Sequence, residues 1–349
     1  MYNLHLETSY FPAQIDTKIR DISVGGLLLE IACSHPDSIA MVDVLEDGEC
    51  GQSWTYLDLA HQAKSLAQAL ASRFKPRERI VVWAPNIPEW IFMEYAAGLA
   101  GLVLVTANPS FQTTELKYVL DQSGAVGLFM IDEFRGNPME EIAKEATKGN
   151  THLREIINLH NRDTLFKIGD WSTLLPNVHP DDPAQIQYTS GTTGFPKGAI
   201  LSHKNLVNNA RLFCTRKRVT QHSVWANFMP LFHTAGCATG ALGCLQAACK
   251  MLLIKRFDSD IFARLIEEQK VTTCFAVPTM LFNLLESLER NPRDMSSLEV
   301  ITTGGAPVPP DLIRRVRNNL GCHLLSAFGQ TEHSPMISLN PIGLSLIHI

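Results

Sequence analysis

At residues 188–198 the chain reads Tyr188-Thr189-Ser190-Gly191-Thr192-Thr193-Gly194-Phe195-Pro196-Lys197-Gly198. The glycines of this stretch allow backbone N–H groups to approach a ligand closely, the Ser and Thr hydroxyls can donate hydrogen bonds to phosphate oxygens, and Lys197 adds a compact positive charge. The stretch therefore predicts a clamp for a polyphosphate. It is not a Walker loop, because that loop requires Ser or Thr after its lysine and Lys197 is followed by Gly198.

Two apolar runs flank this clamp, residues 184–188 before it and residues 199–201 after it. Such runs are typical of strands, so we predict a hairpin-like connection between two strands with the clamp at its turn. The alternative is a flexible Gly/Thr linker. A linker, however, has no need of Pro196 and Lys197 at this spacing.

Alternating strand and helix patterns extend outward from the hairpin in both directions. Strands separated by helices predict βαβ units and a mostly parallel sheet, and hence an α/β fold. Before the hairpin, the patterns predict helices at residues 23–34, 56–74, 88–100, 113–122 and 134–150, and strands at residues 39–45, 79–84, 102–106, 125–131 and 153–159. After it, we expect strands near Val224, Met251, Thr272, Leu298 and His323, and helices near His203, Thr234, Asp258, Pro278 and Pro309.

A proline-rich segment at residues 176–183 interrupts this periodicity. The residue before each proline is biased toward extended conformations, so the segment is a candidate boundary. The chain is also too long for one simple domain. We therefore predict two α/β subdomains, residues 1–178 and residues 179–349, with the nucleotide-binding motifs in the second.

The composition is that of an ordinary soluble globular protein. A formal net charge of −5 argues against a nucleic-acid-binding surface. The eight cysteines include no C-x-x-C pair, which favours a reducing compartment, and residues 1–20 lack the apolar run of a secretory signal. We predict a cytoplasmic protein, with a mitochondrial location or peripheral membrane association as alternatives. The sequence does not predict the oligomeric state.

Residues 223–249 contain no Lys, Arg, Asp or Glu and are long enough to cross a bilayer. Pro230 breaks this span and Asn227 and His233 interrupt it, so a strand, a turn and a buried helix of small residues is the better interpretation, without a transmembrane segment. A lone histidine in an apolar setting is most often a satisfied core residue. The position of His233, between a strand and a helix, also suits a ligand site.

A run of small residues, Gly304-Gly305-Ala306-Pro307, follows the strand predicted at residues 298–303. Small residues at the carboxyl end of a parallel strand allow a flat ligand to lie against the backbone, and open α/β sheets bind nucleotides at this edge. An ordinary strand-to-helix turn would need one glycine, not two followed by Ala-Pro. We therefore expect this run to border a nucleotide.

A further candidate binding element is Ser326-Ala327-Phe328-Gly329-Gln330-Thr331-Glu332. Phe328 offers an aromatic face for stacking on a purine, Gly329 permits close approach, and Thr331 and Glu332 offer a hydroxyl for phosphate and a carboxylate for a hard cation. The alternative is a surface loop with these residues by chance. Because residues 326–332 occur in the same chain as the clamp, a nucleotide site shared by both is favoured over this alternative.

The clamp resembles the phosphate-loop signature of the adenylate-forming enzymes, the superfamily of acyl-CoA synthetases, peptide-synthetase adenylation domains and beetle luciferases. The resemblance covers roughly residues 23–342, and the element ending at Glu332 is similar to the family's Tyr-Gly-x-Thr-Glu motif, with Phe328 in place of Tyr. It implies the large N-terminal domain of these enzymes, an α/β fold of two mainly parallel sheets flanked by helices.

The resemblance also implies roles for the candidate residues. Phe328 would stack on adenine, Thr331 would contact the α-phosphate, and Glu332 would hold Mg²⁺. The implied ATP-binding set is Thr189, Ser190, Gly191, Thr192, Thr193, Gly194 and Lys197 at the β- and γ-phosphates, with Gly304, Gly305, Ala306, Pro307, Phe328 and Gly329 around the rest of the nucleotide.

His233 occupies the place where this family has an aromatic residue or a histidine beside the reactive carboxylate. Relatives that activate amino acids tend to have an Asp near this point to pair with the substrate ammonium, and residues 223–249 contain no acid. The resemblance therefore implies a substrate without a positive charge. The helix predicted at residues 234–248 would border a tunnel for an acyl chain.

The function implied is that of a medium- or long-chain fatty-acid CoA ligase, which uses ATP to form an acyl-adenylate and then transfers the acyl group to CoA. The alternatives are an aryl- or amino-acid-adenylating enzyme and a non-catalytic nucleotide-binding fragment. In the family, the chain continues into a segment with a ribose-binding Asp, a hinge and a small C-terminal domain that carries a catalytic lysine. Residues 343–349 do not resemble that continuation, so we expect a truncated chain without the small domain, weakly active or inactive by itself.

Overall fold

The computed structural model describes residues 18–167, 174–189 and 196–343. Its strands are β1 (Ile39–Val44), β2 (Cys50–Thr55), β3 (Arg79–Trp83), β4 (Val103–Ala107), β5 (Gly127–Met130), β6 (Glu155–Asn158), β7 (Pro183–Thr189), β8 (Lys197–Ser202), β9 (Val224–Asn227), β10 (Lys250–Ile254), β11 (Thr273–Phe275), β12 (Val300–Gly304), β13 (His323–Gly329) and β14 (Met336–Leu339).

The α-helices lie between these strands. They are α1 (Val24–Ser34), α2 (Tyr56–Ala71), α3 (Pro88–Ala100), α4 (Thr113–Ser123), α5 (Met139–Ala146), α6 (Arg162–Leu165), α7 (His203–Lys217), α8 (Leu242–Ala247), α9 (Ser259–Gln269), α10 (Pro278–Arg290) and α11 (Pro310–Leu320). A π-helix, Ala235–Ala241, leads into α8, and a 3-10 helix, Thr331–His333, separates β13 from β14.

The strands form two sheets. The first sheet has the order β6-β5-β3-β4-β7-β8, and the second has the order β14-β13-β12-β11-β9-β10-β1-β2. Neighbouring strands are parallel except in the pairs β7–β8, β1–β2 and β13–β14. The predicted fold class, α/β with two mainly parallel sheets flanked by helices, is therefore confirmed, and so is the hairpin of β7 and β8 around the clamp.

The predicted boundary between residues 178 and 179 does not separate the two sheets. The hairpin of β7 and β8 follows this boundary yet pairs with β4 in the first sheet, whereas β1 and β2 precede it and join the second sheet through β10. The reason is that pairing between β1 and β10 is a long-range contact, which local sequence periodicity does not encode. Each sheet thus contains strands from both predicted subdomains.

Local sequence accounts for the principal helices. Thr55 and Asp58 form a reciprocal capping box at the start of α2, and Ser23 accepts a hydrogen bond from the backbone N–H of Gly26 at the start of α1. Helix α3 begins with Pro88 and ends before Gly101, whose φ of +67° suits the left-handed conformation of a helix C-terminus. Nearly all residues of α3 are buried, which makes it a core helix.

The uncharged segment at residues 223–249 folds as predicted into a strand, a turn and a buried helix. Strand β9 is followed by the turn at Pro230, and the π-helix and α8 then continue with small, buried residues. Within the described residues, no helix combines the length and the apolar character that a membrane span requires.

Candidate active site

The carboxyl ends of five strands converge on a cavity of about 630 Å³. Strands β9, β11, β12 and β13 of the second sheet supply one side, and β7 of the first sheet supplies Tyr188 and Thr189. This is the edge at which open parallel sheets bind ligands. The volume lies within the range of roughly 300–1,000 Å³ typical of small-molecule sites.

The phosphate clamp contributes to the cavity through the last residue of β7. Thr189 lines the cavity and is the cross-strand partner of Lys197, the first residue of β8. Lys197 is exposed, and β8 lies against the 3-10 helix that contains Glu332. The predicted clamp residues Ser190, Gly191, Thr192, Thr193 and Gly194 lie outside the described residues.

Glycines at the ends of β12 and β13 line the opposite side of the cavity. A Cβ on Gly304 would lie 2.6 Å from the carbonyl oxygen of Ala327, and a Cβ on Gly329 would lie 2.5 Å from the carbonyl oxygen of Pro335. Both distances are shorter than any ordinary contact, so these positions require glycine. Gly305, at φ +79°, completes this wall, whereas Ala306 and Pro307 follow it in exposed positions and are not among the cavity-lining residues.

Phe328 does not line the cavity, although its neighbours Ala327 and Gly329 do. The pairing of β13 with β14 shifts in register between Phe328 and Gly329, so strict alternation of side chains does not fix the direction of Phe328. The Phe328 side chain is 58 % exposed. The stacking role of Phe328 therefore stays a prediction.

Thr331 and Glu332 lie in a loop that α7 holds in place. The side-chain nitrogen of Asn209 on α7 donates to the carbonyl oxygens of Met336 at 2.8 Å and His333 at 3.2 Å, and its Oδ1 accepts from the backbone N–H of Met336 at 3.0 Å. Because α7 directly follows β8, one continuous segment carries both Lys197 and the residue that fixes the Glu332 loop.

The Glu332 carboxylate is exposed at the cavity and, within the described residues, makes no hydrogen bond or ion pair. One carboxylate suits Mg²⁺, which keeps several waters and takes its other ligands from substrate phosphates. Groups of three or more metal-ligating side chains are absent from the described part of the chain. The chemistry of this side chain therefore fits a magnesium ion shared with a nucleotide, which Glu332 would hold.

His233 forms the wall nearest the π-helix. Its Nδ1 accepts a hydrogen bond from the backbone N–H of Ala235 at 3.1 Å, so in the neutral ring Nε2 carries the proton and serves as a donor. The side chain is exposed at the cavity, and partial desolvation by the protein around it lowers the pKa of His233 below its usual value. A neutral imidazole that can donate one hydrogen bond is thus present at this wall.

The turn before His233 is tied to the first sheet by Asn86. This buried side chain accepts from the backbone N–H of Leu231 at 2.8 Å and donates to the carbonyl oxygens of Met229 at 3.0 Å and Ile254 at 3.1 Å. Asn86 follows β3, so it joins the carboxyl ends of β3, β9 and β10. The position of the His233 turn relative to both sheets depends on this side chain.

The structure brings together seven of the predicted residues as cavity-lining groups: Thr189, His233, Gly304, Gly305, Gly329, Thr331 and Glu332. Sequence reasoning missed Phe275 and Val277, which follow β11, and Met229, which follows β9. Their only sequence signal was position, because each follows the carboxyl end of a parallel strand. Asn86 and Asn209 gave no local signal, since their partners are distant in sequence.

Comparison with known proteins identifies the family. A family model for AMP-binding enzymes matches residues 29–346. The chain belongs to the AMP-binding enzyme family. This membership agrees with a cavity that joins a phosphate clamp to the carboxyl ends of parallel strands.

Named relatives of this AMP-binding chain are acyl-CoA ligases. It is 29 % identical to the medium-chain fatty-acid CoA ligase of Escherichia coli, over 92 % of this chain and 57 % of the relative. It is 28 % identical to the mitochondrial medium-chain acyl-CoA ligase ACSF2 of Bos taurus, over 95 % of this chain and 59 % of the relative. The chain thus spans about three fifths of the length of these curated relatives.

Solved structures of ligases share the fold. A long-chain-fatty-acid CoA ligase from Archaeoglobus fulgidus superposes with a TM-score of 0.83 at 25 % identity, covering 96 % of this chain and 69 % of that one. The o-succinylbenzoate CoA synthetase of Bacillus subtilis superposes with a TM-score of 0.78 at 26 % identity, covering 92 % and 62 %. Similar enzymes therefore include ligases whose named acids differ in chemistry.

Proposed function

We propose that this chain forms the nucleotide- and acid-binding part of a ligase that activates a carboxylic acid with ATP and transfers the acyl group to CoA. The observation that carries the proposal is that Thr189, His233 and Glu332 line one cavity. The first belongs to the phosphate clamp, the second is a neutral hydrogen-bond donor, and the third is a free carboxylate. A phosphate, a carboxylate and a cation thus each have a suitable neighbour within one site.

In the first step, an oxygen of the carboxylate attacks the α-phosphorus of ATP. A new P–O bond forms, the bond from the α-phosphorus to the bridging oxygen breaks, and pyrophosphate leaves with the electron pair. Because both reactants are anionic, the protein must offset charge and hold them in line. Lys197 and the Thr189 hydroxyl would do so at the β- and γ-phosphates, and Thr331 at the α-phosphate.

Glu332 would hold a magnesium ion at the phosphates, and this ion would neutralise negative charge during the attack. The second step takes the acyl-adenylate to a thioester. The CoA thiol loses its proton to solvent, the resulting thiolate attacks the acyl carbon, the bond from that carbon to the phosphate oxygen breaks, and AMP leaves with the electron pair.

The acid is proposed to be a fatty acid of medium or long chain, without a positively charged group. The residues around His233 are mostly apolar: Met229, Pro230, Phe232 and Ala235 also line the cavity, and Thr234 is the polar residue among them. An ammonium group would find no carboxylate at this wall, because residues 223–249 contain none. The named fatty-acid ligases among the relatives support the same class.

We further propose a reducing compartment, the cytoplasm or the mitochondrion. All eight cysteines lie within the described residues, where they are free thiols. Six of them are buried, as expected of small apolar side chains rather than of disulfide partners.

A substrate panel tests the proposal. ATP binding is measured by titration calorimetry with Mg²⁺, and pyrophosphate release is measured with fatty acids of graded length, an aryl acid and an amino acid. We expect ATP to bind and pyrophosphate release to depend on an apolar acid. Absence of ATP binding by the folded chain would exclude the proposal, and release that depends on an amino acid would assign the site to another substrate class.

A further inference from the structure

A chain of buried polar side chains lies directly behind the His233 wall of the cavity. Its members are Glu94 on α3, Gln185 and Gln187 on β7, and Cys237 on the π-helix, all less than 4 % exposed. None of them lines the cavity. They are therefore not placed to contact a ligand, and their effect on the site has to pass through the residues that they hold.

Hydrogen bonds connect these side chains in sequence. Gln185 Nε2 donates to Glu94 Oε1 at 2.7 Å, and Gln187 Nε2 donates both to Gln185 Oε1 at 2.8 Å and to Cys237 Sγ at 3.0 Å. The Cys237 thiol lies 3.4 Å from the carbonyl oxygen of His233 and 3.6 Å from Gln185 Oε1, and its single hydrogen can be donated to either. Gln187 and Cys237 thus connect β7 to the backbone of His233.

The two ends of this connection are cavity residues. Thr189 lies two residues beyond Gln187 on β7, so both side chains point to the same face of the strand. At the other end, the carbonyl oxygen of His233 accepts from Sγ of Cys237 and from the backbone N–H groups of Gly236 and Cys237. A shift of Cys237 would therefore move the backbone that carries the His233 ring.

The buried contact between Gln187 and Cys237 is polar. Burying amide and thiol groups costs free energy unless they are hydrogen-bonded, and a pair of apolar side chains would fill the same space at lower cost. A hydrogen-bonded pair, however, has a defined geometry. Cys237 belongs to the π-helix, a rare element that is frequent at functional sites, so a defined geometry here suits a role in the site.

We propose that Gln187 and Cys237 are positioning residues that form a latch, which fixes the His233 turn at a set distance from the phosphate-clamp strand β7. The inference rests on the proposed function, because that function assigns the acid to His233 and the phosphates to Thr189. When Gln187 and Cys237 are hydrogen-bonded, the acid and the nucleotide are held at a fixed position relative to each other. Without the latch, each half of the site still exists and Asn86 still holds Leu231 in the turn, but the distance between the two halves is less closely defined.

The test uses two ligands and four variants of the whole chain. AMP probes the nucleotide half alone, and octanoyl-sulfamoyl adenosine, a stable mimic of an acyl-adenylate, probes both halves together. Gln187→Met and Cys237→Ala remove the latch with little change of volume, and Cys237→Ser keeps a hydrogen-bonding group in its place. Ser287→Ala is the control, because it removes a buried hydrogen bond near the end of α10 that lies away from the cavity.

We expect Gln187→Met and Cys237→Ala to leave the Kd for AMP within about twofold and to raise the Kd for the acyl mimic about fivefold, the effect of one lost hydrogen bond. Cys237→Ser and Ser287→Ala should bind both ligands like the wild-type chain. Equal weakening for both ligands, or no change for either, would overturn the latch, since the first indicates a general structural role and the second no role.

A ligand-free arm separates the latch from the proposed function. Hydrogen exchange at the amides of residues 233–241 should be faster in Gln187→Met and Cys237→Ala than in the wild-type chain, with the remaining amides unchanged. Exchange at the wild-type rate in both variants would refute the latch. A folded wild-type chain that binds neither ligand would instead refute the proposed function, and the exchange rates alone would then decide whether the latch exists.

Discussion

Glu332 is the residue whose charge the proposed chemistry depends on most directly. Its carboxylate is exposed at the cavity and, within the described residues, is free of ion pairs. Glu332→Gln keeps the size of the side chain and removes the charge that would hold Mg²⁺. We expect the affinity for ATP in the presence of Mg²⁺ to fall roughly tenfold, the effect of losing one charged contact, and the affinity for AMP without Mg²⁺ to stay within about twofold.

Titration calorimetry with and without Mg²⁺ measures both affinities. Glu299→Gln is the matched control, because Glu299 is also an exposed carboxylate but precedes β12, at the opposite end of that strand from the cavity. If Glu332→Gln and Glu299→Gln bind magnesium-ATP equally well, Glu332 is not the metal ligand.

At the scale of secondary-structure elements, a substitution of Gly304 tests how closely β12 and β13 approach each other. A Cβ at this position would lie 2.6 Å from the Ala327 carbonyl oxygen of the neighbouring strand, and backbone cannot move away as a flexible side chain can. Gly304→Ala should therefore lower the free energy of unfolding by about 1–3 kcal/mol, as overpacking typically does. Urea denaturation measures the change, and an unfolding midpoint equal to that of the wild-type chain would contradict the close approach.

The loop that carries Thr331 and Glu332 depends on α7. Asn209 supplies three hydrogen bonds to its backbone, so Asn209→Ala should release the loop while α7 itself remains folded. We expect faster hydrogen exchange at the amides of residues 330–336 and weaker ATP binding. Asn205→Ala, at an exposed position on the same helix, is the control. Unchanged exchange in Asn209→Ala would indicate that the loop is held by other contacts.

At the scale of the whole molecule, the sequence predicted elements better than their assembly. Helix α3 was predicted at its observed bounds, because its apolar composition and the flanking Pro88 and Gly101 are local signals. Strand β2 was missed, since its Cys-Gly-Gln-Ser run is polar and mostly exposed. The pairing of β1 with β10 was also missed, because contacts between distant segments leave no periodic pattern.

The same limit applies to the candidate site. The glycines and hydroxyls predicted at the cavity belong to short motifs whose chemistry can be recognised in sequence, and Thr189, Gly304 and Thr331 do line it. The exposure of Phe328 was not predictable from the motif, because it depends on how other parts of the chain pack against the end of β13. Asn209 was not predictable either, since it acts through a loop more than a hundred residues away.

Glu94 links the stability of the molecule as a whole to pH. Burial raises the pKa of this carboxyl to about 8, and a hydrogen bond from Gln185 opposes the shift. The folded state therefore holds a proton on Glu94 between about pH 4.5 and 8, whereas the unfolded state has lost it. The stabilisation that comes from the proton on Glu94 is complete below pH 4.5. Between pH 4.5 and 8 the free energy of unfolding falls by roughly 1.4 kcal/mol per pH unit, and this stabilisation is lost as pH rises through 8.

Glu94→Gln should remove this dependence, because glutamine does not ionise and its Oε1 can still accept from Gln185. We expect the free energy of unfolding of the variant to exceed that of the wild-type chain at pH 8 and to approach it at pH 5, where both side chains are neutral in the folded state. Urea denaturation at pH 5, 6, 7 and 8 measures the difference. If the free energies of unfolding of the two proteins change with pH in parallel, Glu94 ionises in the folded state at little cost. That result would contradict the raised pKa that the burial of α3 implies.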